Sequence, residues 1–349
     1  MNEVHRIDLP RIVLVGRGVI GSLGDVFQEL GLQRPLVVTG RKTYEIAGRR
    51  ARDILKEYGY EPGVAFCSKA DLDTVERIKK QAEAKNADSV VGVGGGRTID
   101  VAKLSAEKSG AFFVSVPTNA AHDGIASSLA SVKGHGRPYS LKAVAPIAVL
   151  ADSGIVAESP YRFTASGCGD VVSKAVSVRD WRLAHEENGD YYGEYAGSLA
   201  LMSSNLVMRN ASLIGERTEE GYRTLLEALV SCGVAMSIAG SSRPCSGSGH
   251  LFSHTLDVIA PGAALHGEQC GVGAIMMAKL HGIDWGALRE SLSVIGAPTT
   301  AAELGIGPET VVEALVKARA IRPDRYTILN KAVLTHESAR NLARECGVI

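Results

Sequence analysis

The chain has 349 residues, 45% of them apolar and 22% charged, and its 38 lysines plus arginines are matched by 38 acids. That length supports two domains, or one large one, with a well-buried core, and the composition excludes a disordered or fibrous protein. The charge balance offers no basic field of the kind that nucleic acid or an anionic membrane needs, although a local basic pocket for a small anion remains compatible with it.

No N-terminal stretch pairs a basic end with an apolar core, so no secretion signal is expected. The longest apolar runs, such as "AVAPIAVLA", fall well short of the roughly 20 residues that span a bilayer, so no membrane insertion and a cytoplasmic location are expected. Six scattered cysteines without a C-x-x-C pair read as buried thiols rather than a disulfide scaffold or a zinc ribbon.

Along the first 150 or so residues, β-rich runs occur at "RIVLVG", "RPLVVTG", "GVAFC", "DSVVGVGGG", "FFVSVPT" and "PIAVLAD". Between them, helical spacing predicts helices over 22–31, 43–59, 71–86 and 98–109. In 71–86, Leu72, Val75, Ile78 and Ala82 share one face, and Asp71 is placed to cap the start. This alternation predicts an α/β nucleotide-binding domain with a mostly parallel sheet. After Ser159-Pro160 the strand-like runs stop and long Ala/Leu/Val/Ser stretches take over, which predicts an all-α C-terminal domain whose first helix starts near Ser159. The expected domains are therefore 1–155 and 156–349. The small-residue helices of the second half fit either close internal packing or a subunit interface, and a homo-oligomer is expected.

Two glycine clusters compete for a phosphate. Gly16, Gly18 and Gly21 match G-x-G-x-x-G, but the fingerprint also wants an acid at the tip of the second strand, and that tip reads Thr39-Gly40-Arg41-Lys42. Gly94, Gly95 and Gly96 end the fourth strand, and Arg97 and Thr98 open the next helix. Unhindered backbone amides and the helix N-terminus together make an anion site there, so this cluster is the expected cradle. With no acid to repel a 2′-phosphate, and Arg41 and Lys42 present, NADP(H) is expected to be used as well as NAD(H).

The helical half carries "GSGHLFSHTLDVIAPGAALHGEQC", with His250 and His254 one turn apart and His266 heading the next helix. Upstream, "TASGCGDVVSK" places Asp170 in an otherwise apolar helix, where a carboxylate needs a positive partner. One Asp and two or three His make a plausible zinc set with an open position. His122 and Asp123 lie past the fifth strand, where ligands of parallel sheets bind, and Asp123 reads equally as a helix cap.

In order, "GGGRTIDVAK", "VPTNAAHDGIASS", "GCGD", "GHLFSHTLD" and "LHGEQCGVGA" resemble the metal-dependent polyol dehydrogenase and dehydroquinate synthase-like superfamily. The similarity spans essentially the whole chain and is greatest to the sn-glycerol-1-phosphate dehydrogenase branch. It implies a nucleotide-binding α/β domain, a helical domain, and zinc and substrate in the cleft between them. It also implies reduction of dihydroxyacetone phosphate to sn-glycerol 1-phosphate for phospholipid synthesis. By position, Gly94, Gly95, Gly96, Arg97 and Thr98 would hold the cofactor diphosphate, while Thr118, Asn119, Ala120, Ala121 and Ser127 would line the nicotinamide. Asp170, His250 and His266 would bind zinc, and Asp123, Asp170 and His254 would meet substrate, with His254 the candidate proton relay.

Two departures bear on this. Iron-dependent relatives carry a further His one turn after the Asp, where this chain has Lys174, which argues for three protein ligands and zinc. Their "GTGSE"-like segment is replaced by "AAHDGIAS". Lys174 and Arg243 are the expected contacts to a substrate phosphate. Glycerol dehydrogenase, a dehydroquinate synthase-like lyase and a non-catalytic dinucleotide-binding protein are the alternatives.

Overall fold

The computed structural model describes residues 7–134 and 137–349, with side chains outside 133–140. The chain divides into two units, Met1–Pro160 and Tyr161–Ile349.

In the first unit, β1 (Ile12–Gly16), β2 (Pro35–Thr39), β3 (Gly63–Phe66), β4 (Ser89–Gly94), β5 (Phe112–Pro117) and β8 (Ala148–Asp152) form one parallel sheet in the order β1-β8-β5-β4-β2-β3. The helices are α1 (Leu23–Leu30), α2 (Arg41–Thr43), α3 (Arg49–Glu57), α4 (Leu72–Ala84), α5 (Gly96–Ser109) and α6 (Ser153–Ala157), with a π-type turn, Tyr44–Gly48, joining α2 to α3. Strands β2, β4 and β8 are buried throughout, as strands covered on both faces must be. Their period of two splits the core: Leu36, Val38 and Val90 pack with Val75 and Ile78 of α4 and Ile99 of α5, whereas Val37, Val91 and Val93 pack with Leu23 and Phe27 of α1 and Leu55 of α3. Asp71 caps α4 through the Thr74 amide at 2.9 Å.

Strand β2 leads outward to β3, while β4 leads the opposite way to β5. The carboxyl ends of β2 and β4 therefore flank a topological switch point, the usual ligand crevice of such sheets. An antiparallel pair, β6 (Leu129–Gly134) with β7 (Arg137–Lys142), stands apart from the sheet. No strand is predicted there from sequence, because glycine, proline and lysine interrupt the apolar alternation.

The second unit contains no strand among the described residues. Its helices are α7 (Tyr161–Val172), α8 (Lys174–Asn188), α9 (Glu194–Arg209), α10 (Ala211–Gly215), α11 (Glu219–Ala239), α12 (Ser248–Ile259), α13 (His266–Leu280), α14 (Trp285–Ile295), α15 (Pro308–Ile321), α16 (Ile328–Ala332) and α17 (His336–Glu345). α7 starts at Tyr161 rather than near Ser159, because the residue before a proline is disfavoured in the helical region. The division between units falls after α6 rather than inside it, since Asp152 at the end of β8 caps α6 through the Gly154 and Ile155 amides. One helix, α11, is long and apolar enough to cross a membrane by length and composition, but 72% of its most apolar window is buried inside the protein, as in a core helix.

Candidate active site

Gly94, Gly95 and Gly96 have no positive φ among them, so backbone conformation does not explain the triple glycine. Space does. A Cβ on Gly94 would lie 2.6 Å from the Thr98 side chain, one on Gly95 2.5 Å from Asn119 Nδ2, and one on Gly96 1.9 Å from His122 Nε2. Asn119 and His122 thus lean onto bare backbone at the start of α5, whose first amides have no partner within the helix. Glycine at 95 and 96 lets these two side chains lie directly on the backbone, at a helix N-terminus of the kind that attracts anions. Thr98 is buried, and Thr118 is held by its amide on the Gly94 carbonyl at 3.0 Å. Ala120 is buried, Ala121 partly so, and Arg97 is exposed with a bond to the Ser68 carbonyl. Ser127 turns inward instead: its hydroxyl meets Leu129 and lies 3.4 Å from Lys103 Nζ.

Lys103 is fully buried on α5 and donates to the carbonyls of Gly124 and Leu129, both at 2.7 Å. It clamps the segment from Asp123 to Leu129 onto α5. Burial pushes the Lys103 ammonium down and the Asp100 carboxyl up, each opposed by the other's charge. Asp123 opens the turn Asp123–Ile125 but does not cap it; His122 does, its Nδ1 accepting from the Gly124 amide at 2.9 Å.

The other glycine cluster already holds an anion of its own. The amides of Gly18 and Ile20 donate to the Asp152 carboxylate at 3.0 and 3.2 Å. Arg41 and Lys42 lie exposed at the start of α2, past the end of β2, with Arg41 over the Phe66 ring.

In the second unit, small residues bring three helices to backbone contact. A Cβ on Gly169 of α7 would lie 2.2 Å from the Gly267 carbonyl, and one on Gly267 of α13 only 1.8 Å from the Ser166 carbonyl. On the opposite side, a Cβ on Gly273 would meet the Gly249 carbonyl of α12 at 3.0 Å. Close crossings of this kind bring donors from α7, α12 and α13 together. One ligand atom each from Asp170, His250, His266 and Cys270 lie within 4.8 Å of one another.

The separations fit a shared cation. His250 Nε2 is 3.3 Å from Asp170 Oδ1, long for a hydrogen bond. Donors about 2.0–2.1 Å from a tetrahedral ion sit roughly 3.3 Å apart. Ser253 donates its hydroxyl to Gln269 at 2.7 Å and lies 3.0 Å from His266 Nδ1. Nδ1 therefore donates to Ser253, which leaves Nε2 as the ring nitrogen turned towards the cluster. Burial and then the Lys174 charge push His250 down to about 3, so its imidazole is neutral. Burial pushes Asp170 up, but Lys174, followed by His250, overrides it and holds the carboxyl well below the usual range. His250 Nδ1 is buried without a hydrogen-bond partner.

Other expected residues fall elsewhere. Lys174 is fully buried, donating to Asp170 Oδ1 at 2.6 Å and the Cys245 carbonyl at 3.1 Å. It is therefore the counter-charge of Asp170 and not an open phosphate contact. Arg243 binds the Tyr326 carbonyl and pairs with Asp190, which ties two loops and likewise corrects the expected phosphate role. His254 stands half exposed on α12, stacked on the His266 ring at 5.7 Å and 4.0 Å from Asp257. Cys270 escaped the sequence reading, although its four-residue spacing from His266 was the signal already applied to His250 and His254.

The family model described as iron-containing alcohol dehydrogenase matches residues 14–160, which covers the nucleotide half and none of the clustered donors of the second unit. Two curated relatives named glycerol-1-phosphate dehydrogenase [NAD(P)+] match over the full length. That of Thermococcus kodakarensis is 50% identical over 99% of both chains, and that of Methanosarcina mazei is 49% identical over 100% of this chain and 98% of its own. Among solved structures, a probable glycerol dehydrogenase from Sinorhizobium meliloti 1021 superposes with TM-score 0.77 at 25% identity, covering 98% of both chains. The sulfoacetaldehyde reductase of Bifidobacterium kashiwanohense, solved in complex with NAD+, shares the fold with TM-score 0.78 at 17% identity over 99% of both chains.

Proposed function

This chain belongs to the glycerol-1-phosphate dehydrogenase family, and from that premise we propose that it catalyses the reversible NAD(P)H-linked reduction of dihydroxyacetone phosphate to sn-glycerol 1-phosphate. We assign it to the cytoplasm, as a homo-oligomer that supplies a phospholipid backbone. The observation that carries the chemistry is the cluster of Asp170 and His250, both buried, with the half-buried His266: one carboxylate and two imidazoles within mutual ligand range. Zinc is the ion we assign to it, because a set of two imidazoles and one carboxylate suits that ion.

When bound, the cation lends Lewis acidity to the reacting carbonyl, worth several kcal/mol, and the dinucleotide supplies the hydride. Asp170, His250 and His266 hold the ion, and Lys174 keeps Asp170 ionised. His254, half exposed beside His266, delivers the proton that the substrate oxygen gains. Asp123 orients the substrate. Gly94, Gly95, Gly96, Arg97 and Thr98 seat the diphosphate, and Thr118, Asn119, Ala120 and Ala121 flank the nicotinamide. Ser127 supports that segment through Lys103.

The test is a substrate comparison with metal analysis. Purified protein is expected to carry stoichiometric zinc and to consume NADH or NADPH with dihydroxyacetone phosphate. Its product should be refused by an sn-glycerol-3-phosphate-specific enzyme. Oxidation of glycerol but not of glycerol 1-phosphate would make it a glycerol dehydrogenase instead, and turnover of a sugar phosphate without net NADH loss would make it a lyase.

A further inference from the structure

The donor cluster contains one group that the proposed reaction leaves unused. Cys270 sits one helical turn after His266 on α13, so both side chains leave the same face. Its sulfur is fully buried and lies 3.5 Å from His266 Nε2, the ring nitrogen turned away from Ser253. A nitrogen about 2.05 Å and a sulfur about 2.3 Å from one tetrahedral ion are roughly 3.5–3.6 Å apart. The same sulfur is within 4.8 Å of the ligand atoms of Asp170 and His250. Charge argues in the same direction. A dication beside the Lys174 ammonium, with Asp170 as counter-charge, leaves an excess of positive charge that a thiolate reduces.

We propose that Cys270 is a fourth, displaceable metal donor: in the substrate-free protein its sulfur completes the shell made by Asp170, His250 and His266. This rests on the metal reading given above. Ligation breaks the S–H bond, the proton leaves to solvent, and the sulfur lone pair goes to the ion without change of oxidation state. A substrate oxygen takes the sulfur's place during turnover. The thiolate also makes the site favour soft, thiophilic ions over hard ones.

The experiment titrates metal-free full-length protein with Co2+ and follows its absorption. Wild type should show visible ligand-field bands together with an intense near-ultraviolet sulfur-to-cobalt charge-transfer band. Cys270→Ser should keep the visible bands and lose the other, with an unchanged melting temperature as the control for folding. Its preference for Cd2+ over Mn2+ should drop at least about tenfold, within the range that metal-shell substitutions produce. Saturating glycerol 1-phosphate should bleach the charge-transfer band without releasing cobalt. Cobalt bound in wild type without that band, a band that survives Cys270→Ser, or one that resists glycerol 1-phosphate would each overturn the proposal while leaving the metal site standing. Wild type that binds no cobalt at all would remove the metal reading and this proposal with it.

Discussion

Gly267→Ala tests whether helix spacing builds the donor cluster. The added Cβ would stand 1.8 Å from the Ser166 carbonyl oxygen and 2.8 Å from the Ser166 hydroxyl, where ordinary contact begins at 3.4 Å. The obstacle is backbone rather than a mobile side-chain tip. α7 and α13 must therefore part by roughly 1.5 Å or distort locally, which places the cost near the upper end of overpacking, about 3 kcal/mol. For a unit of this size each kcal/mol lowers Tm by about 2–4 °C, so a drop of roughly 6–12 °C is expected. The displacement acts directly on the site, because Asp170 lies one turn beyond Ser166 and His266 is the neighbour of Gly267. Donors need to be held within about 0.5 Å, so zinc affinity should fall about tenfold or more. Thermal melting of metal-free protein and chelator competition measure the two effects. Gly307→Ala is the control: nothing lies within 4 Å of its Cβ position and its φ is −79°, so a change below about 1 kcal/mol is expected. A Gly267→Ala protein that melts and binds zinc like wild type would refute the argument from backbone contact.

Gly95→Ala places a Cβ 2.5 Å from Asn119 Nδ2; NADH binding followed by fluorescence should weaken while zinc content stays stoichiometric, and equal loss of both would contradict a separate nucleotide cradle. Lys174→Met strips the buried Asp170 of its cation, which should cost the metal-free protein about 3–5 kcal/mol and the zinc-loaded protein less, since the ion supplies the missing charge. Urea unfolding with and without zinc gives that difference, and an equal penalty in both forms would argue against Asp170 as a ligand. Burial pushes the Cys67 thiol up to about 11 from 9.0. Below pH 9 its thiolate fraction is then about a hundredfold lower than that of an unshifted thiol, so alkylation at pH 8 should be slower by about that factor, and the rate should keep rising up to about pH 11, whereas an unshifted thiol levels off near 9. Mass spectrometry of iodoacetamide-treated protein measures this; labelling at the rate of a free thiol would contradict the burial. The sign for stability is the same: between 9 and 11 the folded state holds the proton more tightly, so the contribution of Cys67 to stability falls as pH rises past 9.

Much of this protein could be read from local pattern. Strand periodicity, the Asp71 cap and the change of texture after Pro160 are short-range signals, and each depends only on residues a few positions apart. The triple glycine was legible for the same reason, although its cause was not: only the tertiary structure shows that Asn119 and His122, more than 20 positions away, require the missing side chains. Sequence also pointed to Asp170, His250 and His266, through a carboxylate in apolar company and imidazoles at helical spacing. What each polar group faces, however, is decided by helices that cross far apart in sequence. That is why Lys174 proved to be a sealed counter-ion, Gly18 proved to clasp Asp152, and Cys270 was brought beside His250 and Asp170. Local sequence specifies which face of a helix a side chain leaves from, whereas the packing of small residues between helices specifies what it meets.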